Sequence, residues 1–205
     1  MNKKIKIAIA TLCIASVMAI GGSLAYFTDS QSKTNLVTIG HVRGDLIENT
    51  TDDNATKTDD GIEYNDPVTP GDVLSKAPYI QLKETSSDAY ARMSVEVVAL
   101  KDGEQVEGLE DQLKEIQFDI DTANWSLGTD GYYYYNTILS NDTDPKTTYL
   151  FSEVTFPTSW TNEMADLQIQ IKVHGEIIQS DNFTPTTDAS GSIVSWGDVN
   201  IETTH

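Results

Sequence analysis

Apolar and polar residues alternate along most of this chain. Ala91, Met93, Val95 and Val97 alternate with Arg92, Ser94 and Glu96, and Leu167, Ile169, Ile171 and Val173 alternate with Gln168, Gln170 and Lys172. Ile116, Phe118 and Ile120 repeat the pattern on a shorter scale. A period of two places one face of a strand on a core and the other in water. Residues 132–138 and 148–156 are rich in aromatic and β-branched types and also predict strands. In the second of these, Tyr149 and Phe151 are out of phase with Val154 and Phe156, which predicts a bulge. Leu109–Ile116 alone has helical character, about two turns.

Turn chemistry separates the runs: Asp66-Pro67, Pro70-Gly71-Asp72, Gly128-Thr129-Asp130-Gly131 and Asn141-Asp142-Thr143-Asp144-Pro145. Short strands at this spacing predict an all-β antiparallel sandwich in one domain, residues 43–205. Two segments have too few apolar side chains to offset their ordering entropy. They are Glu48–Gly61, expected as a flexible acidic loop, and the Thr-, Ser- and Asp-rich Asn182–Ser192.

The amino terminus follows a different pattern. Lys3, Lys4 and Lys6 precede an apolar run from Ile7 to Ile20, and small residues follow. The run is shorter than the roughly twenty residues a spanning helix needs. The order of charged, apolar and small regions therefore predicts a cleaved secretory signal helix over residues 1–25. Ser23 and Ala25 stand at −3 and −1 to a cut before Tyr26. Residues 26–42 would then form an extended segment at the new terminus. Contact with the membrane is expected only through the uncleaved signal.

Charge narrows the function classes. The formal net charge is −19, and the leader holds three of the thirteen Lys and Arg and none of the 32 Asp and Glu, so the remainder carries −22. Such a surface repels nucleic-acid phosphates and anionic lipid, so no nucleic-acid partner is expected. The single cysteine, Cys13, lies inside the leader, and the rest of the chain has neither disulfide nor thiolate chemistry.

Candidate chemistry is sparse. His41, His174 and His205 have no zinc-protease spacing, and His174 is expected as a solvated residue at a strand end. There is no Gly-x-Ser-x-Gly elbow and no glycine-rich phosphate loop. No catalytic residue, metal ligand or cofactor is therefore assigned. Asp52-Asp53-Asn54 and Asp59-Asp60-Gly61 offer oxygen ligands for calcium without matching the twelve-residue calcium loop. Tyr132–Tyr135, with Trp125 or Trp160, could instead present rings to a glycan or another surface.

The junction Gly21-Gly22-Ser23-Leu24-Ala25-Tyr26-Phe27-Thr28-Asp29, followed by Asn35-Leu36-Val37-Thr38-Ile39-Gly40, resembles the signal region of the TasA–camelysin family. Further in, Asn65–Asp72 with Ser75-Lys76, Asp88–Met93, Tyr134–Leu139, Leu150-Phe151 and Ile178–Phe183 are similar to later family motifs. The resemblance implies a jelly-roll-like sandwich, exported by a Gram-positive bacterium and trimmed by a SipW-type signal peptidase. It further implies self-association into extracellular matrix fibres or a surface layer, in which the freed N-terminal segment adds as a strand to a neighbouring subunit. Phe27, Leu36, Val37 and Ile39 would be that strand's anchors. The camelysin name also carries a surface metalloendopeptidase reading, for which this sequence offers no zinc motif.

Overall fold

The computed structural model describes residues 28–31, 42–58 and 61–199. In chain order the strands are β1 (Thr28–Gln31), β2 (Gly44–Asn49), β3 (Ala55–Thr58), β4 (Gly61–Tyr64), β5 (Val73–Ser75), β6 (Ala77–Leu82), β7 (Ala89–Lys101) and β8 (Glu104–Gln105). After the single-turn helix α1 (Glu110–Leu113) come β9 (Gln117–Phe118), β10 (Trp125–Leu127), β11 (Tyr133–Tyr135), β12 (Glu153–Thr155), a 3-10 turn (Asn162–Met164), β13 (Gln168–Gln179), β14 (Thr186–Thr187) and β15 (Ile193–Ser195). The protein is all-β, and every strand pairing is antiparallel.

The main sheet has the order β1-β13-β7-β11-β10, with β8 on the end of β7. Its spine is the pairing of β13 with β7, unbroken from Gln168↔Leu100 to Gln179↔Ala89. These are the two sequences with the longest alternation, which is why they make the longest strands.

The second layer is built from β2–β6 and β5–β12–β9. Backbone bonds join them: Thr147 N donates to Ile80 O, Leu150 N to Pro78 O, Lys76 N to Ser152 O, and Asp121 N to Leu150 O. One core lies between the layers. Ala91, Met93, Val173 and Ile177 of the main sheet meet Ile80, Leu82, Phe151 and Val154 of the other. Gly175 and Gly44 allow the close approach at one side. A Cβ on Gly175 would lie 3.2 Å from Ile80 Cδ1, and one on Gly44 would lie 3.0 Å from Ile177 Cδ1 and 3.1 Å from the Gln81 carbonyl oxygen.

The main sheet's outer face carries a smaller core. Tyr134, Ile178, Phe183, Ile193 and Trp196 are buried there under the C-terminal residues. The expected loose segment 182–192 therefore contains ordered structure. Phe183 packs edge-on against Tyr90 and Trp196, and Ile193 N and Ser126 Oγ both donate to Asn136 Oδ1.

The acidic stretch 48–61 also differs from expectation. It holds the end of β2 and, in β3, one arm of a hairpin with β4. Polar side chains do what apolar burial does elsewhere. Asp52 Oδ2 accepts from Ser75 N, Lys57 Nζ donates to Asn49 Oδ1, Asn65 Nδ2 to Asn54 O, and Tyr64 OH to Ser75 O. The ion pair Lys76–Glu48, 2.6 Å long and nearly buried, ties β2 to the neighbouring strand. Asp59 and Asp60 lie outside the described residues.

The helix shrinks from two turns to one, with Leu113 as its buried residue. The Pro70-Gly71 turn forms as expected. Asp72 N donates to Thr69 O, and Gly71 has the positive φ of 93° that this turn demands. The expected strand over 148–156 is shorter, Glu153–Thr155, and its pairings contain no bulge; the alternation breaks before it instead, where Leu150 and Phe151 are both buried in succession and Ser152 and Glu153 both exposed. Asp119 Oδ1 holds the irregular backbone by accepting from the amides of Ser152 and Glu153.

This inversion of neighbours is testable. Phe151→Ala should cost about 3–5 kcal/mol of unfolding free energy in urea denaturation. Tyr149→Ala, two residues away and 47% exposed, should cost below about 1.5 kcal/mol. Equal costs would mean the phase is misplaced.

Candidate functional site

A strand pairs through both of its lateral edges, and an edge without a partner presents free amides and carbonyls. β13 is satisfied along its whole length on the side of β7. On the other side it meets β1 alone, in the register Thr28↔Ile178, Asp29↔Ile177, Ser30↔Glu176 and Gln31↔Gly175. Among the described residues, 168–174 have no second partner. This half-covered edge is the candidate site. Beside it a shallow cleft is lined by Gly44, Leu46, Ile80, Gly175 and Ile177, where the two layers come together.

The edge is backed by a buried charge cluster. Arg92 and Glu176 are direct cross-strand neighbours, 8% and 5% exposed. Arg92 Nε and its Nη2 both lie 2.6 Å from Glu176 Oε2. The other carboxylate oxygen accepts from Tyr132 OH at 3.1 Å and lies 2.9 Å from His174 Nε2. Arg92 Nη1 donates to Tyr134 OH, which donates in turn to Asp130 Oδ2 at 2.6 Å. The guanidinium lies between two rings, 4.0 Å from the centre of Tyr132 and 4.5 Å from that of Trp196.

Burial disfavours charge on Glu176, yet the His174 hydrogen bond and the Arg92 charge outweigh it and hold the carboxyl below its ordinary value. For Arg92, burial likewise opposes charge, and Glu176 and Tyr134 more than restore it. Tyr134 is pushed up to about 12, by burial first and then by its bond to Asp130. Arg92 and Glu176 are thus a buried pair of charges held by hydrogen bonds to each other and to Tyr132, Tyr134 and His174. It fixes residues 174–176 of β13 from behind, and of these Gly175 and Glu176 also pair with β1.

The residues assigned from sequence fall unevenly. Ser23, Ala25 and Tyr26 at the expected cut, and the anchors Phe27, Leu36, Val37 and Ile39, lie outside the described residues, as do His41 and His205. Of the expected donor segment 26–42, residues 28–31 are seen on the chain's own β13. His174 is not at a strand end. It lies inside β13 and is bonded to Glu176, because β13 continues to Gln179. Ser94 faces His174 in register.

Among the described residues no three His, Cys, Asp or Glu side chains are grouped to hold a metal. No helix there is long and apolar enough to cross a membrane. The aromatic residues do not form an exposed platform. Tyr134 and Tyr135 are buried, Trp125 lies in the core with its indole N–H on Thr148 Oγ1, and Trp160 bonds Gln112 O and packs edge-on against Phe156. Sequence reasoning missed the Arg92–Glu176 pair. Its one signal was Arg92 at a solvent-face position of one alternating run, with Glu176 three residues past the end of the other.

No family model, no curated protein and no solved structure matches the chain.

Removing Arg92 would leave Glu176 ionised and buried without its cation. Arg92→Leu should cost about 3–5 kcal/mol in urea denaturation at pH 7, and the double variant Arg92→Leu/Glu176→Leu should recover much of that. Because the folded carboxyl of Glu176 lies below its unfolded value, its stabilisation is present above the unfolded value and is lost as pH falls through the folded one. Glu176→Gln should therefore flatten the acid limb of stability against pH. An unchanged limb would contradict the assignment.

Proposed function

We propose that this chain is an exported structural protein of a Gram-positive bacterium, a jelly-roll-like subunit of an extracellular matrix fibre or surface layer. A SipW-type signal peptidase would remove residues 1–25. The freed segment would then join subunits by strand addition. The observation that carries this reading is the edge of β13, whose outer partner among the described residues comes from the N-terminal segment. Strand pairing is made through backbone bonds, and the same bonds can be made by an identical segment from another copy. A contact between one end of a molecule and a different surface of the next does not close on itself, so it propagates. The charge of −22 after trimming keeps unassembled copies apart in solution.

The resemblance of the Gly21–Asp29 junction and of the later motifs supports the same reading, as does the all-β fold with its Pro70-Gly71 turn. The order of events follows from topology: while the leader is attached, residue 26 is not a terminus and cannot thread to a neighbour's edge. Cleavage would license assembly.

Chain beginning at Tyr26 should form filaments visible by electron microscopy, and chain lacking residues 26–39 should remain monomeric by light scattering. If both stay monomeric at high concentration across a range of pH, the proposal fails.

A further inference from the structure

The stretch of the second layer that runs through β5 and β6 changes partners part-way along. Over Ala77–Leu82 one side faces β2, in the register from Asn49↔Ala77 to Gly44↔Leu82. The other side is taken by residues 147–155: Thr147 N donates to Ile80 O, Leu150 N to Pro78 O, and β12 pairs with β5. Carried further, the β2 register would set Thr51 opposite Ser75 and Asp53 opposite Val73. The chain does not continue that pairing. β2 ends at Asn49, and among the described residues β5 is the end strand of its sheet.

Antiparallel alternation decides which groups of β5 face that end. Asp72 O accepts from Phe156 N and Lys76 N donates to Ser152 O, so the even-numbered residues bond the β12 side. The backbone groups of Val73 and Ser75 point the other way, where an edge would offer them to another strand. At Ser75 both are taken by side chains. Its amide donates to Asp52 Oδ2 at 2.7 Å, and its carbonyl accepts from Tyr64 OH at 2.6 Å. Its hydroxyl accepts from Thr51 N at 3.0 Å.

A carboxylate and a phenol thus stand where a neighbouring strand would put a carbonyl and an amide. The base of the β3–β4 hairpin brings the two together: Ala55 pairs with Tyr64, and Ala55 N donates to Asp52 O. Burial first, and then the charge of Asp52, push Tyr64 up to about 12, so the phenol keeps the proton that it donates. On the next residue, Lys76 Nζ lies 2.6 Å from Glu48 at the end of β2.

We propose that Asp52 and Tyr64 are a latch that closes the β5 edge against pairing with a second copy of this chain. The geometry of the edge names that occupant. Two β5 strands related by a twofold axis through Leu74 would set Val73 of each opposite Ser75 of the other, and each such pair exchanges amide and carbonyl bonds. Other centres fail. An axis at Ser75 would call on Ala77, which already pairs with Asn49, and an axis at Val73 would call on Gly71, whose amide already donates to Phe156 O. Val73, 50% exposed, is the side chain that the contact would cover. The latch is independent of the β13 edge and holds whether or not that edge joins copies.

Mixed cysteine variants test this in the full chain, with Cys13→Ser removing the only native thiol. One preparation carries Val73→Cys and the other Ser75→Cys. They are mixed and mildly oxidised, with the latch intact or removed by Asp52→Ala/Tyr64→Phe. Opposed residues of an antiparallel pair lie within disulfide range. Removing the latch should raise the 73–75 dimer several-fold and above the 73–73 and 75–75 dimers. With the latch intact, the 73–75 dimer should stay at the background given by Leu127→Cys, at a position 58% exposed. Hydrogen exchange at low concentration should show the Ser75 amide slow in the original chain and fast in Asp52→Ala, with the Leu74 amide slow in both. Equal crosslinking with and without the latch, no preference for the 73–75 pair, or a Ser75 amide indifferent to Asp52→Ala would overturn the inference. Loss of slow exchange at Leu74 would also overturn it, because Asp52 would then be holding the fold and not the edge.

Discussion

Backbone amides and carbonyls need partners, and among the described residues the outer side of the long strand β13 has them only at one end. β13 runs from Gln168 to Gln179 with β7 filling one side throughout. On the other side the described chain provides only Thr28–Gln31. Among the described residues this strand is paired on both sides only over residues 175–178, and the neighbouring features are arranged about it. Gly175 and Gly44 bring the second layer up to its side, and Arg92 with Glu176 holds it from the outer face. A fold that wished only to be monomeric would cover such an edge or shield it with charge. Here Lys172 stands on that strand but pairs inward across the sheet with Glu96, at 3.5 Å.

The buried Arg92–Glu176 pair is an expensive way to hold a strand. Apolar residues of similar volume often do as well or better for stability alone. What the charges add is uniqueness of register. Glu176 collects Arg92, Tyr132 and His174, and Arg92 collects Tyr134 and two aromatic faces. A slip of β13 by one residue would turn Glu176 into the apolar core, so register errors are penalised heavily. An edge that serves as a template for another strand gains from such fixation, because the position of every amide on it then depends on the chain's own register.

Much of the fold was legible in alternation. The runs 91–97 and 167–173 became the sheet's two long strands, and the phase break after Tyr149 emerged where the aromatic residues fell out of step. The polar segments were less legible. Residues 48–61 and 182–192 looked unable to order because apolar content was the only currency considered. In the structure the side chains of Asp52 and Asn65 satisfy the Ser75 amide and the Asn54 carbonyl beside the β3–β4 hairpin, and single large anchors such as Phe183, Ile193 and Trp196 dock the C-terminal residues. The Arg92–Glu176 pair escaped notice for a related reason. Solvent-face positions were assumed to meet water, and one-dimensional pattern cannot reveal that the C-terminal residues fold back over that face. The edge itself was invisible, since nothing in the sequence states which strand lacks a neighbour.

The central claim is that the outer edge of β13 is incompletely paired in the single chain and becomes paired in the assembly. Hydrogen exchange read residue by residue along 168–174 tests it most directly. The outward-facing amides there should exchange quickly in the isolated trimmed chain and become strongly protected in the assembled material, while the amides facing β7 stay protected in both. Outward amides already protected in the isolated chain, or equally exposed after assembly, would contradict the account.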